Sequence, residues 1–350
     1  MSKLIPFLIL LAVFKTTKQF ATCTTKETCI RYQECDAVME ILRKGNRLSE
    51  EDKQYFKKIQ CKALNHIPYV CCAKKINFKE LFPKAPICGL QFTSRIVGGA
   101  ETTIEEHPWI VQIQYAKTNG EIGIHCGGAL CYVLTAAHCD RRLPKDFSLV
   151  QVRLGDWDVT TNPDCDEDRT CNDPYVEIPI DKVIVHEDYN PYNTQSNDIA
   201  LIKLKRSVEF TKFIKSICLP IDLNDRAINL TNHEVGVAGF GQTECSLSSD
   251  RKLKVGVTIN SQEFCKNVFK SSNIVITDKQ LCAGGEPGKD SCGGDSGGPL
   301  MKQINKPGSI PYFMLVGLVS FVQRDCGTKD QPGVYTRISE YMDWIANNMD

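Results

Sequence analysis

Cysteine is what most narrows the folds open to this chain: 18 of its 350 residues are cysteine. Six of them fall between Cys23 and Cys72, and the others are spread from Cys88 to Cys326. In a reducing compartment so many half-cystines would need metal to occupy them. A zinc cluster wants two C-x-x-C elements with histidine close by, whereas the one close doublet here is Cys71-Cys72, whose sulfurs cannot easily converge on one tetrahedral ion. The pattern points instead to a disulfide framework assembled in an oxidising space. Few strong apolar runs occur between Cys23 and Cys72, so bridges must supply much of the stability of so small a unit. Which cysteine pairs with which stays open at this level.

The N-terminus agrees with an oxidising destination. Met-Ser-Lys leads into an apolar run, Leu4–Phe14, and then into polar residues around Ala21. A charged start, a short apolar centre and a small-residue exit make residues 1–21 an expected signal peptide, with a buried helix as the alternative. The run is too short for a spanning helix, which needs roughly 20 apolar residues. No later stretch is long and apolar enough to anchor the chain. The 42 basic and 42 acidic side chains balance to zero, so no net positive field exists to draw in nucleic acid or an anionic membrane. The expectation is a secreted protein that recognises its partners locally.

Length allows about two domains. The six-cysteine unit occupies residues 22–73, and a linker with Pro83, Pro86 and a lone Cys88 runs over residues 74–95. From residue 96 to 350 the texture changes. Short β-type runs recur at Trp109–Tyr115, Tyr132–Thr135, Ser148–Leu154, Ile199–Leu204, Val235–Phe240, Tyr312–Val319 and Gly333–Thr336, with turn residues between them. This is the pattern of an all-β barrel or sandwich. Ile338, Tyr341, Ile345 and Met349 recur at helical spacing, which predicts a C-terminal amphipathic helix on the β core.

Three segments carry the chemistry: Thr135-Ala-Ala-His138-Cys139, Asn197-Asp198-Ile-Ala-Leu and Gly294-Asp295-Ser296-Gly297-Gly298-Pro299. Singly each has a bland reading, as a packed histidine, a capped turn and a tight glycine turn. Together they meet one chemical requirement. A serine hydroxyl is a poor nucleophile until a base takes its proton, and that base needs a carboxylate to set its tautomer and stabilise the imidazolium. Glycines beside the serine let two backbone N–H groups face a developing oxyanion. The order His, Asp, Ser is that of chymotrypsin, not of subtilisins or α/β-hydrolases.

On these segments residues 96–350 resemble the chymotrypsin-like serine proteases, and the six-cysteine unit ending in Val-Cys-Cys resembles an arthropod clip domain. The whole is similar to the clip-domain serine proteases of insect defence and developmental cascades, among them activators of prophenoloxidase or of the Toll ligand. The resemblance implies a double six-stranded β-barrel with a C-terminal helix, preceded by a small disulfide-rich clip domain. It implies that His138 is general base, that Asp198 orients it, that Ser296 attacks the peptide carbonyl, and that the N–H groups of Gly294 and Ser296 form the oxyanion hole. Ser320 matches the serine that supports the aspartate and borders the substrate strand. Asp290 matches the base of the primary specificity pocket and would favour arginine or lysine, with a solvated loop acid as the alternative. Arg95-Ile96-Val97-Gly98-Gly99 matches an activation site. Cleavage after Arg95 would free the α-amino group of Ile96 to pair with Asp295; the bland alternative is a surface arginine before a strand.

The same resemblance implies the disulfides Cys23–Cys71, Cys29–Cys61 and Cys35–Cys72 in the clip unit. In the protease region it implies Cys126–Cys139, Cys265–Cys282 and Cys292–Cys326, with Cys88–Cys218 tethering the clip segment after activation. Cys165 and Cys171 sit in one acidic insertion, Asp164–Asp173, and are expected to pair with each other. That loop carries enough carboxylates to suggest a Ca²⁺ site, with a solvated acidic loop as the alternative; no cofactor is otherwise required. Asn229-Leu-Thr231 is an N-glycosylation sequon.

Two departures from the family pattern stand out. Gly128-Ala129-Leu130 runs through Cys131 straight into Tyr132, which shortens the hairpin before His138 and leaves Cys131 and Cys245 without assigned partners. Val322 stands where trypsin-like enzymes carry a pocket-wall glycine, while the other wall glycine, Gly333, is present. The leading expectation is a haemolymph zymogen cut after Arg95 by an upstream protease. It would cleave a downstream zymogen or prophenoloxidase-like protein after arginine or lysine, and a serpin would inhibit it. The alternative is a weakly active or inactive clip-domain homologue acting as cofactor or binding protein.

Overall fold

The structure is a computed structural model that describes residues 20–24, 27–43, 48–64, 67–73, 78–91, 100–130, 132–189, 195–242, 246, 248–270, 272, 274–287, 294–322 and 327–349. Most of the expected signal segment, together with Arg95, Ile96, Cys131, Cys245, Asp290, Cys292 and Cys326, lies outside the described residues. The chain divides into two units, residues 1–77 and 78–350.

In the first unit strands β1 (Glu27–Arg31), β2 (Gln60–Leu64) and β3 (Ile67–Ala73) form an antiparallel sheet in the order β1-β3-β2. Two helices, Asp36–Arg43 and Glu50–Ile59, accompany it. The second begins with a capping box: Ser49 Oγ accepts the Asp52 N–H at 3.0 Å and Asp52 Oδ2 accepts the Ser49 N–H at 3.0 Å. Tyr32, Cys35, Val38, Phe56 and Val70 make a small core. Around it run the bridges Cys23–Cys71, Cys29–Cys61 and Cys35–Cys72. Cys71 and Cys72 are neighbours on β3, and a strand sends successive side chains to opposite faces, which is why the doublet serves two different partners.

The second unit opens with a short helix, Phe78–Leu81; its strands begin with β4 (Ala100–Glu101), followed by β5 (Ile110–Lys117), β6 (Ile122–Leu130), β7 (Val133–Thr135), β8 (Phe147–Leu154), β9 (Val176–Val185) and β10 (Ala200–Leu204). The last six close a barrel in the order β10-β7-β6-β5-β8-β9. Along β5 apolar residues alternate with glutamines from Val111 to Tyr115, and both kinds are buried. Val111, Ile113 and Tyr115 are fully buried apolar residues, while the intervening Gln114 bonds Glu177 at 3.0 Å and Gln151 at 2.7 Å. The shortened hairpin does not break the barrel. Leu130 pairs with Val133 and Ala129 with Leu134, so only residues 131 and 132 lie in the connection, the tightest loop that joins antiparallel strands.

Then come β11 (Glu234–Gly239), β12 (Leu253–Thr258), β13 (Gln280–Ala283), β14 (Pro299–Ile304), β15 (Tyr312–Phe321) and β16 (Gly333–Arg337). They form a seven-stranded sheet, β13-β16-β15-β14-β11-β12-β4. The expected second six-stranded barrel is therefore only nearly closed. Its ends meet through one bridge, Ile259 with Ala283, flanked by Asn260 N–H to Cys282 O at 2.9 Å and Gly284 N–H to Thr258 O at 3.0 Å. The core beneath it holds Val237, Leu281, Leu300, Met314, Val316 and Tyr335. The predicted C-terminal helix is split. Ile338–Glu340 is a 3₁₀ turn and Met342–Asn347 a short α-helix; Ile338, Tyr341 and Ile345 are buried as their spacing foretold, whereas Met349 lies past the helix and is half-buried. The helix Gln262–Lys270 and strands β6, β9, β12, β13 and β14 were not singled out from sequence.

A buried ionic cluster joins the segment after β4 to the start of β12. Lys254 Nζ lies 2.6 Å from both oxygens of Glu106, and Lys252 is 4% exposed. Burial lowers the Lys252 ammonium to about 8 from 10.5, against the pull of Asp156, Glu106 and Asp164. Between those two values the unfolded chain binds more protons than the folded one, so the contribution of Lys252 to stability rises with pH across that window. The unfolding free energy of wild type minus that of Lys252→Met should thus climb by about 3 kcal/mol across the window. Guanidinium denaturation at the two ends of the window measures it; a flat difference would put this ammonium in water.

Candidate active site

Strand β7 hands the chain through Ala136 and Ala137, both fully buried, into the short helix His138–Arg141. Two ties fix that helix to the first barrel. The buried Tyr115 hydroxyl of β5 donates to the Cys139 carbonyl at 3.0 Å, and Cys139 is bridged to Cys126 of β6.

Asp198 sits just before β10 with its side chain 2% exposed. An ionised carboxylate survives burial only when its lone pairs are met. Its Oδ1 accepts the backbone N–H of His138 at 2.9 Å, and its Oδ2 lies 2.8 Å from His138 Nδ1. The Ser320 hydroxyl, at the end of β15, donates to the same Oδ2. Thr336 of β16 donates its hydroxyl to the Asp198 carbonyl at 2.7 Å. A carboxylate is acceptor only, so His138 must carry a proton on Nδ1, and this leaves the Nε2 lone pair available as a base. The His138 side chain is 17% exposed, enough for a substrate to reach it.

Ser296 lies in the turn that precedes β14 and is half-buried. Gly127 N–H of β6 donates to the Ser296 carbonyl at 2.8 Å, and Gly297 N–H donates to the Val319 carbonyl at 2.8 Å. The serine is thereby stitched to both barrels. Gly297 has φ +76°, and a Cβ there would overlap Thr135 Oγ1 and the Gly127 carbonyl, so no larger residue fits. Asp295 Oδ1 accepts the Gly241 N–H at 3.0 Å, and a Cβ on Gly241 would collide with that carboxylate. Among the described residues no backbone carbonyl takes the N–H of Gly294 or Ser296. The fold thus gathers His138, Asp198, Ser296, Gly294, Asp295 and Ser320 where the two barrels meet. The seam carries an imidazole of fixed tautomer and a serine in one neighbourhood, Cys139 Sγ lying 3.7 Å from the Ser296 carbonyl.

Val322 follows the last residue of β15 and is half-buried, and Gly333 opens β16 paired with Ala283. Phe321 pairs with Val334, which places the two wall positions beside one another. The bridges Cys88–Cys218, Cys165–Cys171 and Cys265–Cys282 are formed. Thr336 and Gly127 escaped the sequence reading. A threonine inside the buried run Gly-Val-Tyr-Thr-Arg was the available signal, because a buried hydroxyl must find an acceptor.

One carboxylate of the acidic insertion, that of Asp164, is not free for an ion. Asp164 is 1% exposed and its carboxylate is already spent. Oδ2 accepts the N–H groups of Trp157 at 2.8 Å and Asp158 at 3.1 Å and the Asn172 amide at 2.9 Å; Oδ1 accepts the Thr161 hydroxyl at 2.7 Å. It organises the loop from within. Among the described residues, potential metal ligands converge only at Cys23, Cys61 and Cys71 and at Cys126, His138 and Cys139, and every one of those cysteines is in a disulfide.

Comparison with known proteins covers both units. Residues 96–345 match the profile of the trypsin family, and residues 23–72 match that of the regulatory CLIP domain of proteinases. Serine protease ea of Drosophila melanogaster is 39% identical over 348 residues, spanning 92% of this chain and 88% of that protein. Melanization protease 1 of Drosophila melanogaster is 38% identical over 376 residues, spanning 94% and 93%. The crystal structure of the Drosophila Grass clip serine protease of the Toll pathway superposes with a TM-score of 0.70 at 31% identity, covering 95% of this chain and 98% of that one.

Proposed function

Because this chain belongs to the clip-domain serine proteases and is a trypsin-like serine endopeptidase of the cascade type, we propose that it is a secreted zymogen. Cut after Arg95 by an upstream protease, it cleaves a downstream protein after arginine or lysine. The observation that carries this reading is the buried Asp198 carboxylate bonded to both the backbone and the Nδ1 of His138. In the reaction, Ser296 Oγ attacks the substrate carbonyl as its proton passes to His138 Nε2. The oxyanion rests on the N–H groups of Gly294 and Ser296. His138 returns the proton to the leaving amine, and water repeats the sequence on the acyl-enzyme. Asp198 stabilises the imidazolium at each step without taking its proton.

Before cleavage the α-amino group of Ile96 does not exist. Once free, it would be largely protonated near neutral pH, with a reference value of about 7.7–8.0, and would pair with Asp295 beside the nucleophile. Its substrates belong to the kind that the relatives' names indicate, proteins of melanisation or of the Toll pathway, and a serpin would trap the acyl-enzyme. Its destination would be the haemolymph, reached through the signal peptide expected at residues 1–21.

The test is direct. The secreted precursor, cut at Arg95, should hydrolyse a small arginyl ester and be labelled by a fluorophosphonate. Ser296→Ala should lose nearly all turnover and all labelling, and Arg95→Ala should stay one inert chain. An active Ser296→Ala variant would end the assignment.

Specificity sets Asp290 against Val322. A charge-assisted bond from an arginyl or lysyl side chain to Asp290 is worth roughly 1.5–3 kcal/mol, and the added bulk of Val322 costs about 1–3 kcal/mol. In a pocket of the family's kind a neutral occupant would leave the aspartate at its base without a counter-charge, so the preference stays basic while efficiency falls. Val322→Gly should raise kcat/KM on arginyl substrates, and Asp290→Ser should abolish the basic preference. Best cleavage after valine, alanine or phenylalanine would refute this pocket.

Asn229 is exposed between Ile228 and Leu230, which pack on the barrel core, and its Oδ1 accepts the Thr231 N–H at 3.0 Å. The alternation turns the amide outward, where a glycan can be attached. Protein secreted from insect cells should migrate faster after peptide-N-glycosidase treatment, and Asn229→Gln should not respond.

A further inference from the structure

The residue before the aspartate is held more tightly than a loop position needs. Asn197 has φ +58°, a left-handed backbone that asparagine tolerates better than most residues. Its Nδ2 donates to the Asp188 carbonyl at 2.9 Å. Its Oδ1 accepts the Tyr341 hydroxyl at 3.0 Å and Lys279 Nζ at 3.2 Å. Two donors on the oxygen and one acceptor on the nitrogen leave a single orientation for the amide.

Both donors come from the other side of the catalytic unit. Lys279 stands just before β13, and Tyr341 lies between the 3₁₀ turn and the last helix. Tyr341 is 1% exposed, its ring meets His186 edge-on at 5.6 Å, and Lys279 Nζ lies 5.4 Å from its centroid. Burial pushes the Tyr341 hydroxyl well up, so it stays a donor throughout the working pH range. Thr336 grips the Asp198 carbonyl from the same side. The peptide between Asn197 and Asp198 is therefore clamped on both residues by the second barrel and the C-terminal segment, while the carboxylate reaches back to the first barrel.

We propose that Asn197 and Tyr341 are positioning residues, forming a strap by which the C-terminal segment sets the angle at which the Asp198 carboxylate meets His138. This rests on the roles given above to Asp198, His138 and Ser296. The strap acts on the chemical step: an aspartate turned by a fraction of an ångström still folds and still leaves the substrate groove intact, but it orients and stabilises the imidazolium less well. No step of substrate binding passes through it.

The test uses the full chain cut at Arg95, a small arginyl ester, and thermal unfolding as a control. Tyr341→Phe keeps the ring and removes one hydrogen bond, so kcat should fall roughly two- to tenfold, the rate equivalent of one such bond, with KM unchanged. Asn197→Ala should fall further. Asn197→Asp keeps the acceptors for Tyr341 and Lys279 and the left-handed tolerance but cannot donate to the Asp188 carbonyl, and should recover part of the rate. Unchanged kcat in Tyr341→Phe and Asn197→Ala would overturn the proposal. So would a loss that appears in KM or in melting temperature but is not recovered by Asn197→Asp, because that is the behaviour of a merely structural contact. If instead wild type neither hydrolyses the ester nor takes the fluorophosphonate, the underlying reading fails, and the proposal falls with it.

Discussion

Asp198 carries an ionised carboxylate in a place where almost no water reaches it. Left unpaired, such a charge costs several kcal/mol, so much of the surrounding architecture follows from supplying its donors. The backbone and ring of His138 come from the first barrel and the hydroxyl of Ser320 comes from the second, where Thr336 also holds the Asp198 backbone carbonyl. The charge is fully satisfied only when the two barrels dock in one arrangement, and the same docking brings the Ser296 carbonyl against Gly127 of the first barrel. Solvating one anion and building the catalytic geometry are thus one structural problem with one solution.

The rest of the interface reinforces that docking. Gly127 of β6 holds the Ser296 carbonyl, and Trp109 Nε1 of the first barrel lies 2.8 Å from Met301 Sδ of β14. His107, Trp109 and Phe313 pack as an aromatic cluster across the same seam. Behind it, Glu106 with Lys254 and Asp158 with Arg251 join the first half of the unit to the start of β12. The surface pair of these two, Arg251 with Asp158, contributes little to stability; the buried pair with Glu106 acts mainly by making any other register leave a charge alone.

Legibility differed by the kind of signal. β5 and β15 were visible because they combine β-branched and apolar residues with flanking turns, and they are buried along nearly their whole length. β9 was missed: its burial is partial and its sequence alternates charged with apolar residues around a proline, which removes a ladder donor. The helix Glu50–Ile59 was passed over although Ser49 and Asp52 form a capping box, because its apolar face reduces to a few residues against a small core. The C-terminal segment had three of its four core positions right, Met349 being half-buried, and the wrong continuity: Tyr341 interrupts the helix with φ −115°.

What the sequence by itself determined are the parts that depend on residue type and spacing. The three motif segments name the groups for acyl transfer, the glycines beside Ser296 admit the turn it needs, and the cysteine count demands a bridged fold. Tertiary structure alone decided the rest, because it depends on which distant residues share a face. It brings Thr336 to the carbonyl of Asp198, a separation of 138 residues, and Tyr341 to Asn197, a separation of 144. It also spends Asp164 inside its own loop, where composition suggested an ion site. A hydrogen bond between residues so far apart leaves no periodic trace in the chain, since each partner obeys only its own strand; the contact exists once the barrels are closed around the charge they share.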